Sequence, residues 1–471
     1  MNAARPVRSR LLGPVLSILL ALALYLTGLG IPVVQREQEL RVALTARAMA
    51  EGGSWLNPTY LGEPRIRKPP MMYWLVAVSY LAGDSTQSAT LARLPSAVSA
   101  VALAWLVFHI GRSLRGRRTG LLAALICATT LIVFRQARLA ETDILLTLWT
   151  TLAMWHGYRA FFLRGGWHDL LFSALAAGAG FLTKGPAALA LPLACWALLF
   201  VFRKPRIANG GTLTGMIIWL GVSIAVGLSW YLYLFIQADS LGQLHQELAA
   251  TYGDETGHPG PWFYYAYALF HAFAPWSLLL PGVLWYGWRK VRSRGSMRFP
   301  AAAFFTGILL LSLTNSKQLH YAALLAPGFS LLAAGFLGLL ARRHAWLHPF
   351  ARVSPAVAMI LVLVNVGAAA VVMPSLEARQ IVARQLRSQL GALAEIDRLF
   401  LVGRHRATVE FHAGRPVRDI DNLREAWRLS NRGDLIAVNT TAETPPTPPG
   451  PVDILAEGRH RGLHAALWRR R

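Results

Sequence analysis

The chain has 471 residues, of which 54% are hydrophobic and only 15% charged, and its mean hydropathy is +0.40. Soluble chains carry roughly a quarter charged residues, so this composition excludes an ordinary soluble enzyme and reads as a polytopic α-helical membrane protein. The net charge of +24 does not make it a nucleic-acid binder. Its Lys and Arg residues sit mainly in short loops between apolar runs, where they set topology. Cys127 and Cys195 both lie within apolar runs, so no disulfide framework is expected.

Arg5, Arg8 and Arg10 precede an apolar run over 11–34 that is too long for a signal-peptide core and reads as an uncleaved anchor. Further runs long enough, or nearly so, to span are expected at 91–111, 119–137, 143–163, 168–183, 186–202, 213–236, 263–288, 299–314, 319–341 and 351–373. The piece 71–81 is too short to cross about 30 Å of hydrocarbon at about 1.5 Å per residue. Leaving it out places the basic loops at 112–118, 164, 203–206, 289–298 and 342–343 on the same side as the N-terminus. Counting it as a span breaks that agreement. It is therefore expected to be a re-entrant or interfacial helix. The expected architecture is about eleven spans (thirteen at most) with a cytoplasmic N-terminus and an extracytoplasmic C-terminus. Residues 1–373 would form the membrane domain, with a large first outer loop over 35–90. Residues 374–471 would form a small extracytoplasmic α/β domain, with strand-like pieces at 399–402, 434–438 and 452–455 and helical ones at 376–394 and 423–429. The tail, Trp468 with three arginines, reads as solvated charge or as a contact to anionic head groups.

The outer side collects Glu37, Glu39, Lys68, Asp143, Lys184, His258, Lys317 and His320, while the other side holds plain basic anchors. In the first loop, Leu40, Ala43, Leu44 and Ala48 form one helical stripe among the charges of Glu37, Glu39, Arg41 and Arg47. Gly52-Gly53 ends that helix. Arg65, Arg67 and Lys68 follow, stopped by Pro69-Pro70. This pattern suits either an interfacial helix with solvated charge or a cationic seat for a lipid phosphate. Asp143 opens a span, as a first-turn carboxylate favoured by the helix dipole or as a carboxylate that positions an acceptor or a metal. Lys184 sits between two short spans beside Gly185-Pro186, either snorkelling or holding an anion. His258 and His320 suit metal ligation or hydrogen bonding. Dispersed as they are, they also suit plain structural roles.

The stretches ELRVALTARAMAEGGSWLNPTYLGEPRIRKPPMMYWL, ARLAETDILLTLW, GFLTKGPAALALP and HPGPWFYY, with APWSLLLP and SKQLHYAALLAPG, run in this order up to about residue 340. They resemble the GT-C membrane glycosyltransferases that use polyprenyl-phosphate sugars. The nearest branch holds the lipid A aminoarabinose transferase and protein-mannosyltransferase-like enzymes. The resemblance implies transfer of a sugar from a polyprenyl-phosphate donor to a lipid, glycan or protein acceptor at the outer face of a bacterial inner membrane. Membrane lipids would be partners and nucleic acid would not. It makes Glu39 and Asp143 the catalytic carboxylates. Lys68, Lys184 and Lys317 become phosphate or cavity lysines, and Arg41, Arg67, His320 and Tyr321 are taken with them as substrate-binding. It leaves room for a divalent metal, with His258 as a ligand. Two positions depart from the family pattern: Gln38 stands where the acidic pair usually begins with Asp, and Arg67 stands where a Glu usually precedes the lysine. The rival readings are a transporter or lipid flippase and a catalytically inactive relative that binds polyprenyl lipid. The expected clustering of charge at one interface and the lack of an internal repeat speak against a transporter.

Overall fold

The structure is a computed structural model, and it describes residues 21–31, 34, 36–163, 165–202, 212–237, 259–293, 295–343, 398–403, 406–440, 447–460 and 463–471. Half of the expected first span, all of the expected span at 351–373, the helical piece at 376–394 and His258 lie outside them.

The first loop is built as expected from its stripe and its glycines. Helix α1 (Glu37–Ala50) ends before Gly52, whose φ of +98° only glycine adopts without cost. A two-stranded hairpin follows, β1 (Thr59–Tyr60) and β2 (Glu63–Pro64), turning through Leu61 and Gly62, both at positive φ. Helix α2 (Met71–Ala82) has 12 residues and packs on α1 through Met72, Tyr73, Val76 and Tyr80. Its length, about 18 Å at 1.5 Å per residue, is too short to cross a bilayer.

The long helix α3 (Ala89–Arg115) is capped by the Ser88 hydroxyl, which accepts from Leu91 N at 3.3 Å. Gly116 turns it directly into α4 (Arg117–Thr129). These two helices pack closely because Gly111 and Gly120 face each other: a Cβ on Gly120 would lie 2.5 Å from the Phe108 carbonyl oxygen. The expected span at 119–137 is broken, since α4 and α5 (Leu131–Ala137) meet at a 64° bend. Next come α6 (Asp143–Phe162), α7 (Trp167–Lys184), α8 (Ala187–Phe202) and α9 (Thr212–Ile236). Gly185, at φ +82°, lets α7 turn into α8 within two residues.

The expected single span at 263–288 is corrected. It divides into α10 (Tyr264–Ala272), a 3-10 turn over Trp276–Leu279 and α11 (Leu280–Val291). Pro275 and Pro281 account for the breaks, since each removes a backbone donor and restricts the residue before it. Helix α12 (Arg298–Leu313), the 3-10 helix Leu319–Leu325 and α13 (Ala326–Arg343) complete the described membrane part. Among the described residues, three helical stretches are long and apolar enough to cross a bilayer unbroken: 89–115, 213–236 and 319–342. On α9, Leu213, Ile217, Leu220, Ile224, Leu228 and Leu232 form an exposed stripe at helical spacing. Such a stripe is costly in water and natural against lipid. At the end of α11, Arg289, Lys290 and Arg292 lie over the rings of Trp285, Tyr286 and Trp288, the pairing expected at a membrane–water interface.

Beyond residue 398 the chain forms a mixed five-stranded sheet in the order β4-β3-β5-β7-β6. Its elements are β3 (Leu399–Gly403), α14 (Arg406–Ala413), β4 (Arg418–Ile420), α15 (Leu423–Leu429), β5 (Leu435–Thr440), β6 (Val452–His460) and β7 (Leu463–Arg470). The tail is solvated charge only at its end, where Arg471 is exposed. Trp468 is buried in β7, Arg470 stacks on Trp427 and donates to its carbonyl at 2.7 Å, and Arg471 pairs with Asp453. Helix α14 joins the sheet to the first loop. Arg47 donates to the carbonyls of Glu410 and Phe411 at 3.0 and 2.7 Å, and His412 bonds the Val34 carbonyl at 3.1 Å.

Candidate functional site

The basic half of the first loop is fastened by apolar contacts on either side of its charges. Ile66 is buried among Leu182 of α7 and Trp230 and Leu234 of α9. The Trp230 indole donates to the Leu56 carbonyl at 2.8 Å, and the Trp74 indole to the Trp55 carbonyl at 2.7 Å. With Ile66 turned into that cluster, its neighbours Arg65, Arg67 and Lys68 line a cavity of about 1030 Å³. The remaining walls come from the starts of α1 and α6, the end of α7, Tyr231 of α9, and the segments 259–262 and 312–321. Six cationic side chains border it (Arg41, Arg65, Arg67, Lys68, Lys184 and Lys317) against two carboxylates, Glu141 and Asp143. A cavity of that size with so unequal a charge suits an anionic ligand.

At its floor Lys184 Nζ donates to Asp143 Oδ1 at 2.6 Å, and His320 Nε2 lies 3.9 Å from Asp143 Oδ2. Each member of the pair sits where its helix dipole favours it, the carboxylate at the N-terminus of α6 and the ammonium at the C-terminus of α7. Lys184 Nζ also lies 4.5 Å from the centre of the Tyr321 ring. Lys68 Nζ donates to Gln38 Oε1 at 2.9 Å, and among the described residues it has no carboxylate within ion-pair distance. Burial, with the charges of Lys184 and Arg65, pulls the Lys68 pKa down to about 7 although Asp143 and Glu141 act in the opposite sense. Glu141 pairs with Arg36 at 3.0 Å and accepts from Gln136 at 3.2 Å, and burial raises its pKa.

Two residues singled out from the sequence are placed differently. Glu39 does not line the cavity. It is 1% exposed and grips Arg93 of α3 at 2.7 and 3.1 Å, while its Oε1 also accepts from Ala140 N. With both oxygens used, Glu39 is placed to lock α1 to α3 and to the 138–142 turn. Arg93, which carries the other half of that lock, was not visible as its partner at 54 residues' separation. Lys317 borders the cavity, yet its ammonium donates to the carbonyls of Leu311, Ser312 and Thr314 and so caps the end of α12. Arg41 borders the cavity while pairing with Glu37 one helical turn back. Arg67, His320 and Tyr321 also line it. Glu141 is the charged lining residue given no role from the sequence, whereas Arg65 belongs to the basic run read there as a cationic seat. Glu141 stood two positions from Asp143. Among the described residues no group of three His, Cys, Asp or Glu is placed to hold a metal, and Asp143 is already engaged by a cation.

The family model for dolichyl-phosphate-mannose-protein mannosyltransferase matches residues 67–236. An undecaprenyl phosphate-alpha-4-amino-4-deoxy-L-arabinose arabinosyl transferase from Pectobacterium carotovorum subsp. carotovorum is 31% identical over 357 residues, 72% of this chain and 63% of the relative. The transferase of the same name from Edwardsiella ictaluri is 29% identical over 331 residues, 66% of this chain and 57% of the relative. The chain thus spans 57–63% of the length of these curated relatives. In fold it is similar to ArnT from Cupriavidus metallidurans bound to undecaprenyl phosphate, with a TM-score of 0.73 at 17% identity, covering 96% of this chain and 97% of that one. The Archaeoglobus fulgidus oligosaccharyltransferase is also similar, with a TM-score of 0.56 at 12% identity, covering 87% and 64%. The chain is a multi-pass membrane protein with the GT-C fold, and it resembles the undecaprenyl phosphate-aminoarabinose arabinosyl transferases in both sequence and fold.

Proposed function

We propose that this protein transfers a glycosyl group from a polyprenyl-phosphate donor to a lipid or glycan acceptor at the extracytoplasmic face of a bacterial inner membrane. The observation that carries the reading is the cation-lined cavity with the Asp143–Lys184 pair at its floor. In the reaction the bond between the sugar's anomeric carbon and the donor phosphate oxygen breaks. The acceptor oxygen bonds to that carbon, and polyprenyl phosphate leaves. Negative charge grows on the departing phosphate, so the protein's largest contribution is cations already in place to receive it. Lys68 is suited to this because its present partner, Gln38, is neutral and gives it up at little cost. Lys184 holds the second position with Asp143 as its counter-ion. Asp143, rather than Glu39, is the carboxylate within reach of an acceptor, and there it orients the attacking oxygen or takes its proton. An acceptor that attacks through a phosphate oxygen brings no proton to remove. In that case Gln38 in place of a carboxylate costs nothing.

The test is complementation of a deletion strain, read by mass spectrometry of lipid A, glycans and polyprenyl-linked sugars. The wild-type gene restores a glycan or glycolipid missing from the deletion, while Lys68→Ala and Asp143→Ala, present in the membrane at normal amounts, do not. A deletion profile identical to wild type would favour a lipid-binding role without transfer.

A further inference from the structure

Arg65 stands out within this cavity. It is 8% exposed and borders the cavity, yet among the described residues its guanidinium makes no hydrogen bond or ion pair, and its Nε is buried without a partner. Its backbone is fixed: the Arg65 N–H donates to the Pro58 carbonyl at 2.7 Å, closing the hairpin, and the next residue is Ile66, held in its apolar cluster. A buried cation without a counter-charge costs several kcal/mol, so one on a fixed backbone beside a cavity marks where an anion completes the site. Lys68 does not lack a ligand in the same way. It has Gln38, and it faces the end where Lys184 and Asp143 act. The other cations are spoken for: Lys184 by Asp143, Arg41 by Glu37 and Lys317 by three carbonyls, and Arg67 too is engaged.

We propose that Arg65 is the anchor of a second anion subsite in the same cavity, which holds a phosphate or carboxylate group in addition to the donor phosphate. This rests on the reading above and adds to it that the reacting pair brings two anionic groups. The second is carried either by the transferred sugar or by the acceptor, and its recognition is the bidentate pairing that a planar guanidinium offers to such groups.

The purified full chain, saturated with undecaprenyl phosphate, is titrated with inorganic phosphate and followed by calorimetry. Wild type takes up one further phosphate. Arg65→Gln weakens that step at least tenfold while changing undecaprenyl phosphate affinity less than threefold, and Arg65→Lys falls between. An Arg65→Gln that loses both affinities together would assign Arg65 to the donor phosphate and overturn the subsite. Lipid-loaded wild type that takes up no phosphate would do the same. If wild type fails to bind undecaprenyl phosphate at all, the proposed function itself falls, which separates the two failures. The source is read with donors bearing a neutral or a uronic sugar. A tenfold preference for the uronic donor that Arg65→Gln erases puts the anion on the sugar. Equal use of both, with an Arg65-dependent affinity for a phosphomonoester acceptor probe, puts it on the acceptor. No dependence on Arg65 in either arm overturns the proposal.

Discussion

Two ion pairs, the buried Glu39–Arg93 and the part-buried Asp143–Lys184, are alike in chemistry and length, at 2.7 and 2.6 Å, and differ in what surrounds them. Around Glu39 every direction is closed: Arg93 takes both carboxylate oxygens, Ala140 N adds a third bond, and Arg93 also donates to the Leu29 carbonyl. Around Asp143 one side is open to the cavity, with His320, Lys68 and Tyr321 beside it. A sealed pair holds helices in register, whereas a pair with an open side can exchange one partner for a ligand. The difference lies in the neighbours rather than in the residue types.

That contrast is open to test by mutation. The largest effect is expected at the sealed pair, where removing one partner leaves a buried charge and costs about 3–5 kcal/mol. Glu39→Ala should therefore lower the amount and thermal stability of the protein in detergent, and Glu39→Ala combined with Arg93→Met should recover much of it. A stable single variant that lacks only transfer would reverse the assignment and return Glu39 to catalysis. Asp143→Asn should act the other way, with transfer reduced about 10²–10³-fold, the scale of losing one preorganised charge interaction, and stability nearly kept. Lys68→Met should weaken binding of undecaprenyl phosphate about tenfold or more and leave folding unchanged.

The same lysine makes a prediction in pH. Its pKa of about 7 means that the ammonium is lost as pH rises through that value, so phosphate affinity should fall between pH 7 and 9 in wild type and not in Lys68→Arg. Unfolding frees the lysine to its ordinary pKa of about 10.4, so the unfolded chain binds more protons between the two values. Stability should therefore rise with pH over that window, opposite to affinity, and thermal melting at pH 7 and 9 checks it. The smallest effect is expected at Lys317. Lys317→Met removes a helix cap worth about 1 kcal/mol and should change transfer severalfold at most.

The sequence made the membrane class, the first-loop helix and the short α2 legible, because hydropathy, glycine punctuation and span length are local signals. Asp143, Lys184 and Lys68 were legible for a related reason: charge next to hydrocarbon is costly wherever it occurs, and each stood beside a helix break. What was not legible depends on distant partners. Nothing near Glu39 in the chain marks Arg93, and nothing in SKQLHY says that Lys317 turns back on its own helix instead of into the cavity. The division of 263–288 was signalled by Pro275 and Pro281, but a mean over the window hides two residues among many apolar ones. The arginines after Trp468 read as solvated because their strand partners, β5 and β6, are set by sheet order and not by local pattern.

The central claim is that the open pair at Asp143 serves sugar transfer from a polyprenyl phosphate. It is tested most directly by quantifying sugar-charged polyprenyl phosphates in membranes from cells carrying wild type or Asp143→Asn at equal protein levels. The account predicts that a charged donor accumulates severalfold in Asp143→Asn cells while the corresponding modified acceptor disappears. Equal donor and acceptor pools in the two strains would contradict it.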